Sequence, residues 1–179
     1  MKLSYIFIIS SLILLGCGKK DASNSASSTA ADPLAPRYSN SLSDGIDFKK
    51  NGYPTFIKSV SGVSGLEVWG RWSDANLGQL KFEFNEPLPN KFALEIQAFA
   101  LGPNEGKNIL IKACNKDGDL VIKNEPPDQT YKVNFDGVIN CDSIELIPPK
   151  PVTPHELNSD NPDTRLMSLG LKRLSIVAN

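Results

Sequence analysis

Residues 65–74 hold the densest set of side chains that could do chemistry. They read GLEVWGRWSD, and interpreted as a strand they place Glu67, Trp69 and Arg71 on one face and Trp72 on the other. An indole offers a flat apolar face to the C–H groups of a sugar ring, and the carboxylate and guanidinium can bind its hydroxyls. A purely structural role also fits, with Trp72 in the core and Arg71 stacked on Trp69 while it pairs with Glu67. The sequence leaves both interpretations open.

The sequence offers little that favours catalysis. A single histidine, His155, excludes sites built on two imidazoles, and three cysteines exclude a four-cysteine zinc site. His155 lies in a proline-rich stretch, and no acidic or serine partner is indicated by spacing. No glycine-rich phosphate loop, nucleophile elbow or HExxH motif is present. We therefore expect no enzymatic activity, no cofactor and no metal, with a hydrolase or transferase that uses His155 as the minority alternative.

The N-terminus has the form of a lipoprotein signal over residues 1–16. Lys2 precedes an apolar stretch that is shorter than the about 20 residues needed to span a bilayer. The stretch ends in LLGC, which resembles the bacterial lipobox and implies cleavage after Gly16, diacylglycerol transfer to Cys17 and acylation of the new amino terminus. Neither Gly18 nor Lys19 is the Asp that retains such proteins in the inner membrane. The resemblance to sorted lipoproteins therefore implies the outer membrane of a bacterial envelope. A plain signal peptide with an incidental cysteine is the alternative.

Residues 17–42 are predicted to be the lipidated cysteine and a disordered linker, because Ser, Ala, Asn and Pro dominate without an apolar period. The folded domain is expected over residues 43–179. A net charge of -1 excludes a general nucleic-acid binder, which needs a basic surface. The expected partners are the membrane, through the N-terminal lipid, and an envelope glycan or an envelope protein.

Alternation with a period of two dominates the predicted domain and indicates about eight antiparallel strands in a β-sandwich or jelly roll. The alternating runs lie at residues 80–84, 92–100, 109–113, 120–122, 131–135, 144–146 and 169–176. Asp117-Gly118 predicts a tight hairpin turn, and a slip of phase at Lys172-Arg173 predicts a bulge. The spacing of apolar residues at 55–60 is typical of one short helical turn.

Cys114 and Cys141 remain once Cys17 is set aside for lipidation. Both lie at predicted strand ends, and an even pair in an oxidising compartment favours a disulfide. Two buried free thiols are the alternative.

Several sequence blocks together carry a family resemblance. They are SDGIDF at 43–48, GYPTFIKSVSG at 52–62, EVWGRWSD at 67–74, AFALGPN at 98–104, IPPKP at 147–151, and DTR with LGL between 163 and 171. The chain resembles the C-terminal domain of bacterial phosphoglycerol transferases, the enzymes that decorate periplasmic glucans. The resemblance implies an accessory domain of uncharacterised function with a galactose-binding-like sandwich. It does not extend to the membrane region and the metal-dependent catalytic domain of those enzymes, so it does not imply phosphoglycerol transfer.

Five residues within the shared blocks are the candidate ligand-binding residues: Glu67, Trp69, Arg71, Asn104 and Arg165. A turn alone also explains Asn104, and Asp163 is expected to form a local ion pair with Arg165. The sequence thus predicts a membrane-anchored envelope lipoprotein whose non-catalytic β-sandwich binds a glycan or a glycan-linked partner. The alternative is a structural or assembly lipoprotein that docks a protein partner, through a sheet edge or residues 148–154, without binding glycans.

Overall fold

The computed structural model describes residues 36–74 and 78–179, so the signal sequence and Cys17 lie outside the described residues. The strands are β1 (Arg37–Tyr38), β2 (Ile46–Asp47), β3 (Tyr53–Pro54), β4 (Ile57–Ser61), β5 (Arg71–Trp72), β6 (Leu80–Phe84), β7 (Lys91–Ala100), β8 (Asn108–Ala113), β9 (Lys116–Val121), β10 (Thr130–Asp136), β11 (Ser143–Ile147) and β12 (Leu169–Ala178). A 3-10 helix spans Gly102–Asn104 and a short α-helix, α1, spans Pro154–Leu157. Within the described residues, no helix has the length and apolar character needed to cross a membrane.

Two five-stranded antiparallel sheets pack face to face, which confirms the predicted β-sandwich. The front sheet has the order β10-β7-β12-β2, with β5 also paired to β12. The back sheet has the order β4-β6-β11-β8-β9. A separate parallel pair joins β1 to β3.

The core lies between the sheets and is filled by alternate residues of each strand. On β7, Phe92, Leu94 and Ile96 point inward and are fully or almost fully buried, whereas Glu95, Gln97 and Phe99 on the opposite face of the strand remain partly exposed. Alternation therefore leaves the outer face of the front sheet free to carry a site.

The predicted bulge is present on β12. The register between β12 and β7 shifts between Leu171 and Arg173, so that Lys172 is an extra residue without a ladder partner on β7. The shift allows both Leu171 and Leu174 to face the core, although they are three residues apart.

A similar irregularity explains why the helical turn predicted at 55–60 is wrong. Residues Ile57–Ser61 form β4, and its register with β6 shifts between Ile57 and Ser59. The shift turns Ile57 and Val60 to the same face, where both are buried. A bulged strand thus reproduces the spacing of three that we interpreted as helical.

The turn between β8 and β9 lies earlier than predicted. Cys114 and Asn115 form it, and Asp117-Gly118 lies inside β9. Gly118 serves packing, because a Cβ there would approach Val133 Cγ1 to 2.7 Å.

The folded body also includes residues that we assigned to the linker. Arg37–Tyr38 pairs with Tyr53–Pro54, and Leu42 packs against the core. Because this segment lacks a run of alternating residues, its two-residue strand gave no periodic signal.

Cys114 and Cys141 form a disulfide, as predicted, with Cα atoms 5.5 Å apart. It ties the β8–β9 turn to the loop before β11 across a sequence separation of 27 residues. On the chain-entropy account, such a link restricts the unfolded chain more than the folded one.

Replacing both residues in a Cys114→Ala/Cys141→Ala variant should lower the free energy of unfolding by about 3–4 kcal/mol, the loss expected from a loop of this length. Urea denaturation measures it, and wild-type protein in reductant should show a similar loss. A change below about 1 kcal/mol would show that the disulfide does not contribute in this way.

Candidate functional site

Three half-buried aromatic rings meet on the outer face of the front sheet. The ring centroids of Trp69, Trp72 and Phe99 lie 4.9, 4.9 and 5.1 Å apart, with interplanar angles from 60° to 76°. Edge-to-face pairs of this kind contribute about 0.5–1.5 kcal/mol each beyond the burial of their area. We call these three residues the aromatic cluster.

Gly170 forms the floor of the aromatic cluster. It lies on β12 between Trp72 of β5 and Phe99 of β7, and it is the register partner of both. A Cβ at Gly170 would lie 2.2 Å from Phe99 Cζ. The missing side chain therefore lets the Phe99 ring lean across the neighbouring strand and reach Trp72.

A tight turn, and not a continuous strand, carries Trp69. The Glu67 and Gly70 backbones exchange hydrogen bonds of 2.9 and 3.3 Å, which places Val68 and Trp69 at the tip of a hairpin. The predicted separation of Trp69 and Trp72 onto opposite faces is therefore wrong, because the turn brings the two rings into contact. Gly70 permits this arrangement, since a Cβ there would lie 2.2 Å from the Leu171 carbonyl oxygen.

A series of hydrogen bonds through charged side chains fixes the position of the Trp69 indole. The indole Nε1–H donates to Glu67 Oε2 at 3.1 Å, and Arg165 donates to Glu67 Oε1 at 3.2 Å from both Nη1 and Nη2. Asp163 in turn accepts from Arg165 Nη2 at 2.7 Å, which confirms the predicted ion pair. The hydrogen bonds that Arg165 donates lower the pKa of Asp163. The hydrogen bond to Asp163, and to a smaller extent the one to Glu67, raises the pKa of Arg165.

Arg71 does not join this site. It is 7% exposed and donates to the carbonyl oxygens of Ser64 and Lys50 at 3.2 and 3.3 Å. Its guanidinium carbon lies 5.4 Å from the centroid of the Tyr53 ring, and burial raises the pKa of Tyr53. The expected stacking of Arg71 on Trp69 and its pairing with Glu67 are therefore wrong.

Asn104 lies elsewhere and is fully buried. Its amide donates to the Lys150 carbonyl oxygen at 2.6 Å, and its oxygen accepts from the Lys150 backbone N–H at 3.1 Å. The side chain thus clamps the proline-rich segment at 147–151 to the sandwich. Of the five candidates, the structure brings together Glu67, Trp69 and Arg165.

A groove runs along the outer face beside the aromatic cluster. It consists of a depression of about 320 Å³ lined by Trp69, Gln97 and Arg173 among others, and one of about 260 Å³ lined by Phe99 and residues of the β9–β10 loop. Lys172 and Asp128 line both depressions and form an ion pair. We call this surface the sheet groove.

The structure places His155, the residue that the catalytic alternative would use, in α1. His155 is exposed, and its Nδ1 lies 3.0 Å from the carbonyl oxygen of Asn161. Within residues 36–74 and 78–179, no group of three or more His, Cys, Asp or Glu side chains is placed to hold a metal ion.

Comparison with known proteins gives the family. The family DUF7024, described as a domain of unknown function, matches residues 34–178. The chain belongs to the DUF7024 family.

Relatives of the DUF7024 domain include proteins named Phosphoglycerol transferase I from Escherichia coli O139:H28, Citrobacter koseri and Shigella boydii serotype 18. Each is 36% identical to this chain over 135 residues. The match covers 75% of this chain but 17% of each relative, which confirms the resemblance and limits it to one part of those proteins. No solved structure matches the chain.

Sequence reasoning missed several residues of the aromatic cluster and the sheet groove, namely Phe99, Gly170, Lys172, Asp128 and Gln97. Phe99 shares the phase of Glu95 and Gln97 on β7, so an aromatic residue among outward-facing polar residues was a usable signal. Asp128 gave no such signal, because it comes from a loop whose position depends on the fold.

The first test of the aromatic cluster is Gly170→Ala. The new Cβ should displace Phe99, lower the free energy of unfolding by about 1–3 kcal/mol and weaken the near-UV circular dichroism of the coupled rings. Gly65→Ala is the matched control, because a Cβ there meets no atom within 4 Å. Equal behaviour of the two variants would contradict the role of Gly170 as the floor.

The second test asks whether the ion pair between Arg165 and Glu67 holds the Trp69 side chain in place. Arg165→Met should change the free energy of unfolding by less than about 1 kcal/mol, because this ion pair is exposed to solvent. In a Trp72→Phe background, Trp69 is the remaining tryptophan. There, Arg165→Met should increase the quenching of Trp69 fluorescence by acrylamide, because the indole loses the support of the Glu67–Arg165 pair. Lys132→Met, which removes an exposed cation of the outer face of the front sheet that does not line the Trp69 depression, should leave quenching unchanged. Unchanged quenching in Arg165→Met would show that Trp69 is held by packing alone.

Proposed function

We propose that this DUF7024 domain is a non-catalytic module that binds a glycan of the bacterial envelope in the sheet groove. The observation that supports the proposal most directly is the partly exposed aromatic cluster beside a groove lined by carboxylate, ammonium, guanidinium and amide groups. Trp69 and Phe99 would each stack on the C–H face of a sugar ring, as large apolar surfaces with two rotatable bonds that lose little entropy on binding.

The polar lining suits the hydroxyl groups of a sugar. A hydroxyl both donates and accepts a hydrogen bond, so it can use Asp128 as an acceptor and Lys172 as a donor. Gln97 offers both functions on one side chain. The two charged groups already satisfy each other in the free protein, so a ligand would bind beside them without leaving a buried charge unpaired.

The relatives support an envelope glycan as the ligand class. They are named Phosphoglycerol transferase I, and the resemblance noted from the sequence blocks connects such enzymes with periplasmic glucans. Since the match covers 17% of each relative, the proposal is confined to a binding role shared by this domain. Anchoring through a lipid on Cys17, with the outer membrane as destination, completes the proposal and follows from the LLGC motif.

Trp69→Ala should weaken glycan binding at least tenfold, or about 1.4 kcal/mol, because it removes the exposed stacking surface. The full chain, purified in detergent, is titrated with periplasmic glucans by calorimetry, and by fluorescence from its 2 tryptophans, both in the cluster. Val121→Ala, a partly exposed apolar residue of the back sheet, is the control and should bind normally.

Two outcomes would contradict the proposal. Unchanged binding in Trp69→Ala would mean that the glycan uses another surface. No binding by the wild-type protein to any envelope glycan, together with a single protein recovered by crosslinking, would favour the docking of a protein partner instead.

A further inference from the structure

The sheet groove is divided in two by one ion pair. Lys172 and Asp128 lie between the depression that contains Trp69 and the depression that contains Phe99. The ammonium of Lys172 also lies 5.7 Å from the centroid of the Phe99 ring. Each depression therefore has one aromatic wall, and both share the ion pair as their common boundary.

The fold holds both sides of this boundary in place. Lys172 is the bulge residue of β12, so its backbone position is fixed by the ladder on either side of it. Asp128 has a φ of 61°, a left-handed conformation that aspartate tolerates better than most residues. The β9–β10 loop that carries it is clamped by Asn124, whose amide oxygen and nitrogen bond to the Ala100 N–H and carbonyl at 2.9 and 3.0 Å.

The size of each depression is matched to part of a ligand. Volumes of about 320 and 260 Å³ lie near the lower limit of small-molecule sites, which range from about 300 to 1,000 Å³. A single sugar ring in one depression would leave the other aromatic wall uncovered. A chain of two or more rings would cover both walls and cross the boundary at a glycosidic bond.

Charged groups of both signs line the sheet groove, with cations in excess. The Trp69 depression is lined by Lys49, Lys172 and Arg173 on one hand and by Asp47 and Asp128 on the other. Lys123 adds a further cation in the Phe99 depression. Because a hydroxyl can both donate and accept, the hydroxyls of a sugar can bond to groups of both signs.

From these observations we infer that the sheet groove has two sugar subsites, one against Trp69 and one against Phe99, and that it takes an oligosaccharide of at least two residues. The inference rests on the proposed function and specifies its ligand. It also gives the Lys172–Asp128 pair a role, since hydroxyls on both sides of the glycosidic bond lie within reach of it.

The experiment is a calorimetric titration of the full chain in detergent with glucose and with neutral gluco-oligosaccharides of two to four residues, in a panel of common glycosidic linkages. We expect at least a tenfold gain in affinity from one sugar residue to two, because the second ring would contact the second aromatic wall. Trp69→Ala and Phe99→Leu should each abolish the gain, because each removes one subsite. Near-UV circular dichroism and urea denaturation establish that both variants are folded.

Lys132→Met is the matched control. Lys132 also forms an ion pair on the outer face of the front sheet, with Glu95 at 3.7 Å, but it does not line either depression. The gain in affinity from one sugar residue to two should be the same in Lys132→Met as in the wild type.

The possible failures are distinguishable. Glucose binding as tightly as the longer sugars, or a gain that persists in Phe99→Leu, would overturn the two subsites while glycan binding itself stands. No binding at any length or linkage by folded protein would overturn the proposed function together with this inference.

Discussion

The pairing of β12 with β7 is the interaction on which the rest of the molecule depends. Nine residues of each strand are in register around a single bulge, and the two strands form the centre of the front sheet. Their inward residues supply the core, and their outward residues supply Gly170, Phe99, Gln97 and Lys172 to the site. The same backbone hydrogen bonds therefore hold the core together and set the spacing of the groups that would contact a ligand.

The site also depends on contacts between segments far apart in the sequence. Arg165 lies 98 residues after Glu67 and holds its carboxylate, while Asp128 lies 44 residues before Lys172. Neither pair contributes much to stability if it behaves like other exposed ion pairs. Their effect is on position, because they limit how the hairpin tip and the β9–β10 loop can move relative to the sheet.

The sequence was informative where a residue's role is local and periodic. Alternation identified the strands that carry the core, the slip at Lys172-Arg173 located the bulge, and two spare cysteines indicated the disulfide. It failed where a bulge changed the period, as at Ile57 and Val60, and where a glycine served packing, as at Gly118. It placed Arg71 in the site because a short strand and a tight turn share the same composition, and only the backbone hydrogen bonds of Glu67 and Gly70 separate the two.

The bulge has a consequence for how members of this family can differ from one another. Lys172 has no partner in the ladder with β7, so its side chain can change without the loss of a strand pair or of a core contact. A substitution at this position would reshape the middle of the groove and leave the sandwich intact. On the proposed function, ligand preference and folding would therefore be separable at this residue, which would make it a natural point of divergence between domains that share the same architecture.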